Sequence, residues 1–348
     1  MNWLKKLLDR IFIEGLSGMA QGLFATLIVG TIIQQIGTLI GGQTGEMLYA
    51  VGKVAASLTS AGIGVGVAYR FQTSGLVVLS AATAGMVGGY ASPLLAGAMV
   101  FTGPGEPLGA FIAAYVGIEI GRLLSGKTKI DILLTPMITI GTGATAGLLV
   151  GPSISKFMTR IGEMINWGTE QQPLVMGIVV SVLMGMALTL PISSAALSVI
   201  LNLNGLAAGA ATVGCCCNMV GFAVASFREN KFGGLLAQGI GTSMLQIPNI
   251  VRNPLIWLPA ILSSAILGPI STLLLKMTNN ATGAGMGTAG LGGQIMTWQT
   301  MSAVEPGVVV VVKIFVIQLI LPAIITAVIS EFMRKKKWIK QGDMKLEL

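Results

Sequence analysis

The sequence predicts an all-α, polytopic integral membrane protein of about eight to ten crossings, with re-entrant segments and an amphipathic connector. Three observations carry that expectation. Charged residues make up 10% of the 348 residues and hydrophobic ones 53%, and mean hydropathy is +0.82; an average soluble domain carries roughly 25% charge. No charge interrupts residues 71–105 or 171–227, and each run exceeds the ~20 apolar residues of a spanning helix. The net charge of +8 gathers at the ends: Lys5, Lys6 and Arg10, then Arg334, Lys335, Lys336, Lys337 and Lys340. Such clusters anchor on anionic lipid at a cytoplasmic face. They predict a multi-pass plasma-membrane protein with both termini cytoplasmic and no nucleic-acid partner.

The elements follow in order. Trp3, Leu4, Leu7, Leu8 and Ile11 recur at helical spacing among charges, which suits an interfacial helix rather than a cleavable signal. Spans are expected over residues 15–40 and 48–69. A third begins near Gly75, and its small residues from Ser80 to Ser92 predict close helix packing and a homodimer scaffold. The turn at residues 103–107 precedes a helix over 108–124, where Glu119 and Arg122 have the spacing of a local ion pair. Glu106 reads as a helix cap or a cavity carboxylate. A further span covers 132–150, closing an N-terminal scaffold half over residues 1–152.

Residues 153–173 differ in kind. Ile154, Phe157, Met158, Ile161 and Ile165 lie at helical spacing, with Lys156, Arg160 and Glu163 elsewhere, so an amphipathic connector is expected on the membrane surface. The substrate-binding half, residues 174–332, opens with a span broken at 189–194. A span over 206–227, a charged turn at 228–231 and a broken polar piece over 232–254 come next. Apolar runs over 255–275 and 308–329 then flank the most unusual stretch of the chain. A basic cytoplasmic tail is expected over 333–348.

That stretch, residues 279–306, holds six glycines and one charge, Glu305. Non-helical backbone at membrane depth is tolerated only where protein or a water-lined cavity satisfies it. It is therefore the expected substrate site for a small polar solute. Glu305 stands between a glycine-rich segment and an apolar helix, where a carboxylate is costly unless paired or hydrated. It would accept hydrogen bonds from the solute or carry a coupling proton; the plainer role is a helix cap. Gln294, Trp298 and Gln299 would orient the ligand, and Gly290 and Gly292 would offer backbone donors. Asn202, Gln238 and Asn249, neutral amides at breaks in apolar text, complete the candidates. Lys313 would pair with a carboxylate, attract an anion or snorkel. Cys215, Cys216 and Cys217 read as packing, with nothing basic nearby to activate them. The chain has no histidine, and neither a metal nor a cofactor is expected.

Three stretches carry a family resemblance: GFAVASFREN at 221–230, LLAQGIGTSMLQIPNIVRNP at 235–254 and GAGMGTAGLGGQI at 283–295. Here the chain resembles the PfoR-type branch of phosphotransferase-system EIIC proteins, described as toxin regulators and as sugar permeases. The resemblance implies a dimeric permease subunit whose site is formed by re-entrant hairpins in the second half. It also implies a separate EIIB protein as phosphoryl donor, so any sugar phosphotransferase activity would need separate soluble components. Two features depart from the family pattern. The text after Glu331 is a short basic segment rather than an EIIA or EIIB domain, and the histidine that many sugar EIIC proteins carry near the substrate is missing. The alternatives are an ion-coupled secondary transporter without phosphorylation, or a membrane-embedded regulator.

Overall fold

The computed structural model describes residues 10–98, 101 and 103–346. The interfacial helix expected from Trp3, Leu4, Leu7 and Leu8 lies outside them. Among the described residues the chain is all-α, with no strand and one isolated bridge, Gly205 to Asn279. Two compact units divide it, at residues 157 and 158.

The first unit begins with α1 (Arg10–Ile40), α2 (Gly42–Ser57), α3 (Thr59–Arg70), α4 (Gly75–Gly89) and α5 (Pro107–Leu124). The span expected over 48–69 is not one rod: α2 and α3 meet at a 53° bend. A second difference concerns α4. Its Ser80, Ala81, Ala84, Gly85 and Gly88 are buried against α3 and α5 of the same protomer. A Cβ on Gly85 would strike the carbonyl oxygen of Ser60, and one on Gly88 that of Gly109. The small-residue stripe thus packs within the chain, the general use of such stripes where lipid is as apolar as the helices.

Glu119 takes Arg122 at 2.7 Å, as the i,i+3 spacing predicts, and also Arg10 at 2.6 Å. The Arg10 guanidinium lies 4.1 Å from the centre of the Phe71 ring. One carboxylate therefore ties α1 to α5 through a cation that also stacks on an aromatic face.

The unit boundary falls inside α6 (Asp131–Thr169), a helix of 39 residues. The sequence predicts a span ending near Val150 and a separate connector after it. Instead both form one helix that contains Pro136 and Pro152. Proline removes one backbone hydrogen bond and bends a helix, but it need not end it when the flanking turns persist.

The second unit is organised around α8 (Gly205–Ala225), which packs on α7 (Pro173–Thr189), α9 (Pro254–Leu274) and α11 (Gly307–Lys335). The text of α8 explains its central place: apart from a few larger side chains it is glycine, alanine and cysteine, all small enough for close approach. Cys215, Cys216 and Cys217 are fully buried there and unbridged. The charged turn expected at 228–231 lies inside the helix Phe227–Leu236, kinked at Lys231 (φ 53°). The broken piece expected over 232–254 continues through a π-turn over Ala237–Gly241, a 3-10 turn over Ser243–Gln246 and the short helix Ile247–Arg252. Among the described residues six helices are long and apolar enough to cross a membrane, or seven if α2 and α3 count as one span. The expected eight to ten is reached only by adding the shorter apolar helices α4 and α7.

Candidate functional site

The glycine-rich stretch is a helix–turn–helix rather than a plain loop. After α9 the chain unwinds, and the Asn279 N–H donates to the Gly205 carbonyl at 3.2 Å. Asn280 caps the single turn Ala281–Ala284, its side-chain oxygen accepting from Gly283 N–H at 2.9 Å. Asparagine at that position satisfies an N–H that the turn leaves free. Gly287 follows at φ +55°, where a Cβ would come 2.8 Å from the Cys215 Cβ. Only glycine meets both demands without strain. Gly290 and Leu291, both left-handed at φ 54° and 60°, reverse the chain into α10 (Gly292–Met301). A turn over residues 302–306 leads to α11.

A buried ladder of neutral polar groups crosses this break. The Asn279 Nδ2 lies 2.8 Å from Thr212 Oγ1, 3.0 Å from Thr297 Oγ1 and 3.2 Å from the Gly293 carbonyl. Gln318 donates through Nε2 to Thr297 Oγ1 at 3.0 Å. Gln294 donates through Nε2 to Gln318 Oε1 at 3.0 Å and to the Cys216 sulfur at 3.4 Å. Its own Oε1 is buried without a hydrogen-bond partner. Gln318 reaches the ladder from a π-turn over Phe315–Ile320 inside α11. A π-turn inserts one residue into the helical turn and so re-aims the side chains it contains, which is why such turns recur at functional sites.

Glu305 is not the isolated carboxylate that the sequence suggested. Lys313 Nζ lies 2.7 Å from its Oε2 and 2.8 Å from its Oε1, and it also donates to the Leu275 carbonyl at 2.9 Å. The pair is only partly buried, with 29% of the Glu305 side chain and 18% of the Lys313 side chain exposed. The turn at 302–306 brings together two charges that no helical spacing would juxtapose.

The other candidates fall in different places. Trp298 and Gln299 are exposed on α10, away from the ladder face, and the Trp298 ring covers Gly307. Gly290 and Gly292 are buried, and a Cβ on Gly292 would collide with Met286. Asn202 is exposed at the turn before α8, at φ 47°, and accepts from the Asn204 Nδ2. Its nearest link to the site is the Gly205–Asn279 bridge.

Gln238 and Asn249 belong to a second buried cluster. Gln238 donates to Ser226 Oγ and accepts from Gln246 Nε2, each at 2.8 Å. Asn249 donates to Gln246 Oε1 and to the Lys345 carbonyl, both at 2.9 Å. Gln246 also holds the Met344 carbonyl at 3.0 Å. These amides therefore grip the C-terminal segment rather than face the ladder. The sequence reads that segment as a basic tail. It folds back, burying Ile339 and Met344 against Phe222, Ile250 and Met333.

Two further groups escaped the sequence reading. Thr212 and Gln318 are ladder members, each signalled only by a lone polar residue in apolar text. Asn218, immediately after the cysteine triplet, accepts from Trp257 Nε1 at 2.9 Å and from Thr189 Oγ1 at 3.1 Å. Its amide reaches Ser264 Oγ at 3.4 Å, so α7, α8 and α9 share one buried polar knot. Among the described residues no group of three His, Cys, Asp or Glu side chains converges as a metal site.

Broken helices that meet at a buried polar ladder, inside a set of apolar membrane-length helices, define a multi-pass membrane protein with an internal polar site. The chain belongs to the phosphotransferase-system EIIC family, whose model matches residues 13–346. It is thus a membrane component of the phosphotransferase system. No curated protein and no solved structure matches it.

Proposed function

We propose that this chain is a permease subunit that binds a small polar solute, foremost a sugar, at the Asn279–Thr297–Gln318–Gln294 ladder and carries it across the plasma membrane. One observation carries the reading: the Gln294 Oε1 is buried beside three partnered side chains yet has no donor of its own. Buried polar atoms in folded proteins are almost always paired, because an unmet acceptor costs ~1–3 kcal/mol. A sugar hydroxyl supplies the missing donor and accepts in turn. Glu305 and Lys313 would border the site as a charged pair rather than as a lone acceptor. The family supports a phosphoryl relay in which a separate EIIB protein phosphorylates the sugar and this chain positions it. The protein would work as a homodimer with its termini in the cytoplasm.

Uptake into proteoliposomes tests the reading directly. Radiolabelled sugars are offered with and without a phosphoenolpyruvate relay and candidate EIIB proteins. Relay-dependent uptake of one sugar is the expected result. Uptake driven by a proton or sodium gradient alone would establish the secondary transporter instead. Labelling of a cysteine placed at Lys336 by an impermeant reagent from outside the cell would overturn the cytoplasmic placement.

A further inference from the structure

The folded-back C-terminal segment builds a pocket that neither the ladder nor the transport reading uses. It is an open cleft of about 360 Å³ lined by Arg228, Arg334, Lys337, Ile339, Lys340 and Gln341. Four of these six are cations. Arg228 and Arg334 come from the helical bundle, one just past α8 and the other near the end of α11. Lys337, Ile339, Lys340 and Gln341 come from the segment that returns over it.

The charges do not cancel. Arg228 is met by Glu331 at 3.1 Å and Arg334 by Glu229 at 3.1 Å. Among the described residues no ion pair meets the ammonium of Lys337 or Lys340, although the Lys340 backbone N–H donates to Asp343 Oδ2 at 2.8 Å. With Glu331, Glu229 and Asp343 set against four cations, the lining keeps a net positive charge. Arg334 adds an independent sign of a missing acceptor. Its side chain is 9% exposed, its two Nη atoms bond Glu229 and the Ala225 carbonyl, and its Nε–H is buried with no partner. Arginine meets phosphate oxygens through several N–H groups at once, so an unused buried N–H beside a cationic cavity suits that ligand chemistry.

Position favours the same class. The pocket lies at the end of α11, the most apolar of the membrane-length helices, directly beside the basic run Arg334 to Lys337. Basic pockets at the ends of spanning helices hold phosphate-bearing lipid headgroups. Trp338, half exposed in the same segment, is a residue type that gathers at the membrane–water interface.

We propose that this pocket binds the phosphate group of an anionic ligand at the membrane edge, and that binding locks the C-terminal segment in its folded-back position. The lock follows from the two-sided lining. A phosphate held by Arg228 and Arg334 together with Lys337 and Lys340 bridges the bundle to the segment. Without it, the segment is held by the burial of Ile339 and Met344 and by hydrogen bonds: Asn230 Nδ2 to the Met344 carbonyl at 2.8 Å, Gln246 to the same carbonyl, Asn249 to Lys345, and Glu229 accepting from Gly342 N–H at 3.0 Å. Docking and anion binding then favour each other by the same factor.

The test uses the full chain in phosphatidylcholine nanodiscs and follows chymotryptic cleavage after Trp338, which requires the segment to leave the bundle. Inorganic phosphate is added in one arm, and phosphatidylglycerol replaces part of the lipid in the other. Protection of at least about fivefold is expected, the lower end of ordinary coupling between sites. Protection by the lipid alone assigns a headgroup, by inorganic phosphate alone a free anion, and by both the shared phosphate. The variant K337Q/K340Q should lose the protection, whereas K127Q/K129Q, with the same change in net charge elsewhere, should keep it. Should the first variant fail to purify, R228Q takes its place, since Arg228 is largely exposed. No protection in either arm overturns the proposal. So does protection undiminished in the pocket variants, or lost equally in K127Q/K129Q.

Discussion

Glu305 and Lys313 stand 2.7 Å apart across the turn that joins α10 to α11, and Lys313 also ties that turn to the Leu275 carbonyl at the end of α9. One ammonium thus fixes three chain segments at the entrance of the polar break. Replacing the Glu305 carboxylate by an amide would leave that ammonium partly buried among neutral acceptors only. The cost of an orphaned charge outweighs any relief from desolvating a carboxylate, because the pair was compensated to begin with. Glu305→Gln should therefore lower the thermal stability of the purified protein by about 1–3 kcal/mol, reduced toward the lower value by the partial exposure. The double variant Glu305→Gln, Lys313→Met should recover most of that loss. Additive losses in the double-mutant cycle would show that the two charges act independently.

Gln294 provides the sharper probe of binding. Gln294→Leu removes the unpartnered acceptor and the donor to Gln318, and it keeps the approximate volume. Solute affinity should fall about tenfold or more, the worth of one hydrogen bond made in a buried site. Stability should change less, since the unmet Oε1 leaves with the side chain. Gln318→Leu breaks the middle of the ladder and leaves the Gln294 Nε2 with the Cys216 sulfur alone, so it should cost both affinity and stability. Equal binding by wild type and Gln294→Leu would move the solute site away from the ladder.

The break in the chain was legible in the sequence, and the pairing within it was hidden. Six glycines and one charge between two apolar runs marked residues 279–306 as interrupted backbone, which at membrane depth must be satisfied by other groups. The rule that intramembrane charges are functional found both Glu305 and Lys313. It could not join them, because their contact depends on how the turn at 302–306 folds. Gln318 was hidden for a related reason: a helical wheel drawn through α11 is off by one residue past the π-turn that contains it. The docked C-terminal segment was the least legible feature. Its grip comes from side-chain amides on backbone carbonyls, and carbonyls are present at every residue. In α4 the small residues signalled close packing, and α3 and α5 are neighbours that the sequence could not name.

Gly287 tests whether the break is a built conformation or a slack one. Gly287→Ala adds a methyl at φ +55°, a region that costs an L-residue about 1 kcal/mol, and presses it 2.8 Å from the Cys215 Cβ. The Cys215 side chain is fully buried and cannot retreat without opening α8. A loss of about 2–4 kcal/mol is expected, in line with overpacking added to backbone strain. Cys215→Ala places the same small side chain under Gly287 and should cost far less. If Gly287→Ala purifies with unchanged melting temperature and solute affinity, the turn is not held against α8 as the structure places it.

Glu106 gives a prediction in pH. It lies in the loop before α5, outside the spans, with one carboxylate oxygen buried and unpartnered. Burial pushes its pKa up from 4.5 to about 7, with a backbone hydrogen bond at Leu108 opposing in part. The folded protein therefore holds a proton on Glu106 that the unfolded chain has already released over the interval from pH 4.5 to 7. Stability is fully present below pH 4.5, declines as the pH rises through that interval and levels off above 7. A tenfold difference in proton affinity between folded and unfolded chains is worth ~1.4 kcal/mol, so the total effect is up to about 3 kcal/mol. Glu106→Gln mimics the neutral form and should flatten this contribution. Below pH 4.5 the variant and wild type should unfold alike, and at pH 8 the variant should be the more stable. Unfolding followed at pH 4, 6 and 8 in one detergent distinguishes the outcomes, and a variant that is less stable than wild type at pH 8 would mean that Glu106 is ionised and usefully paired in the folded protein.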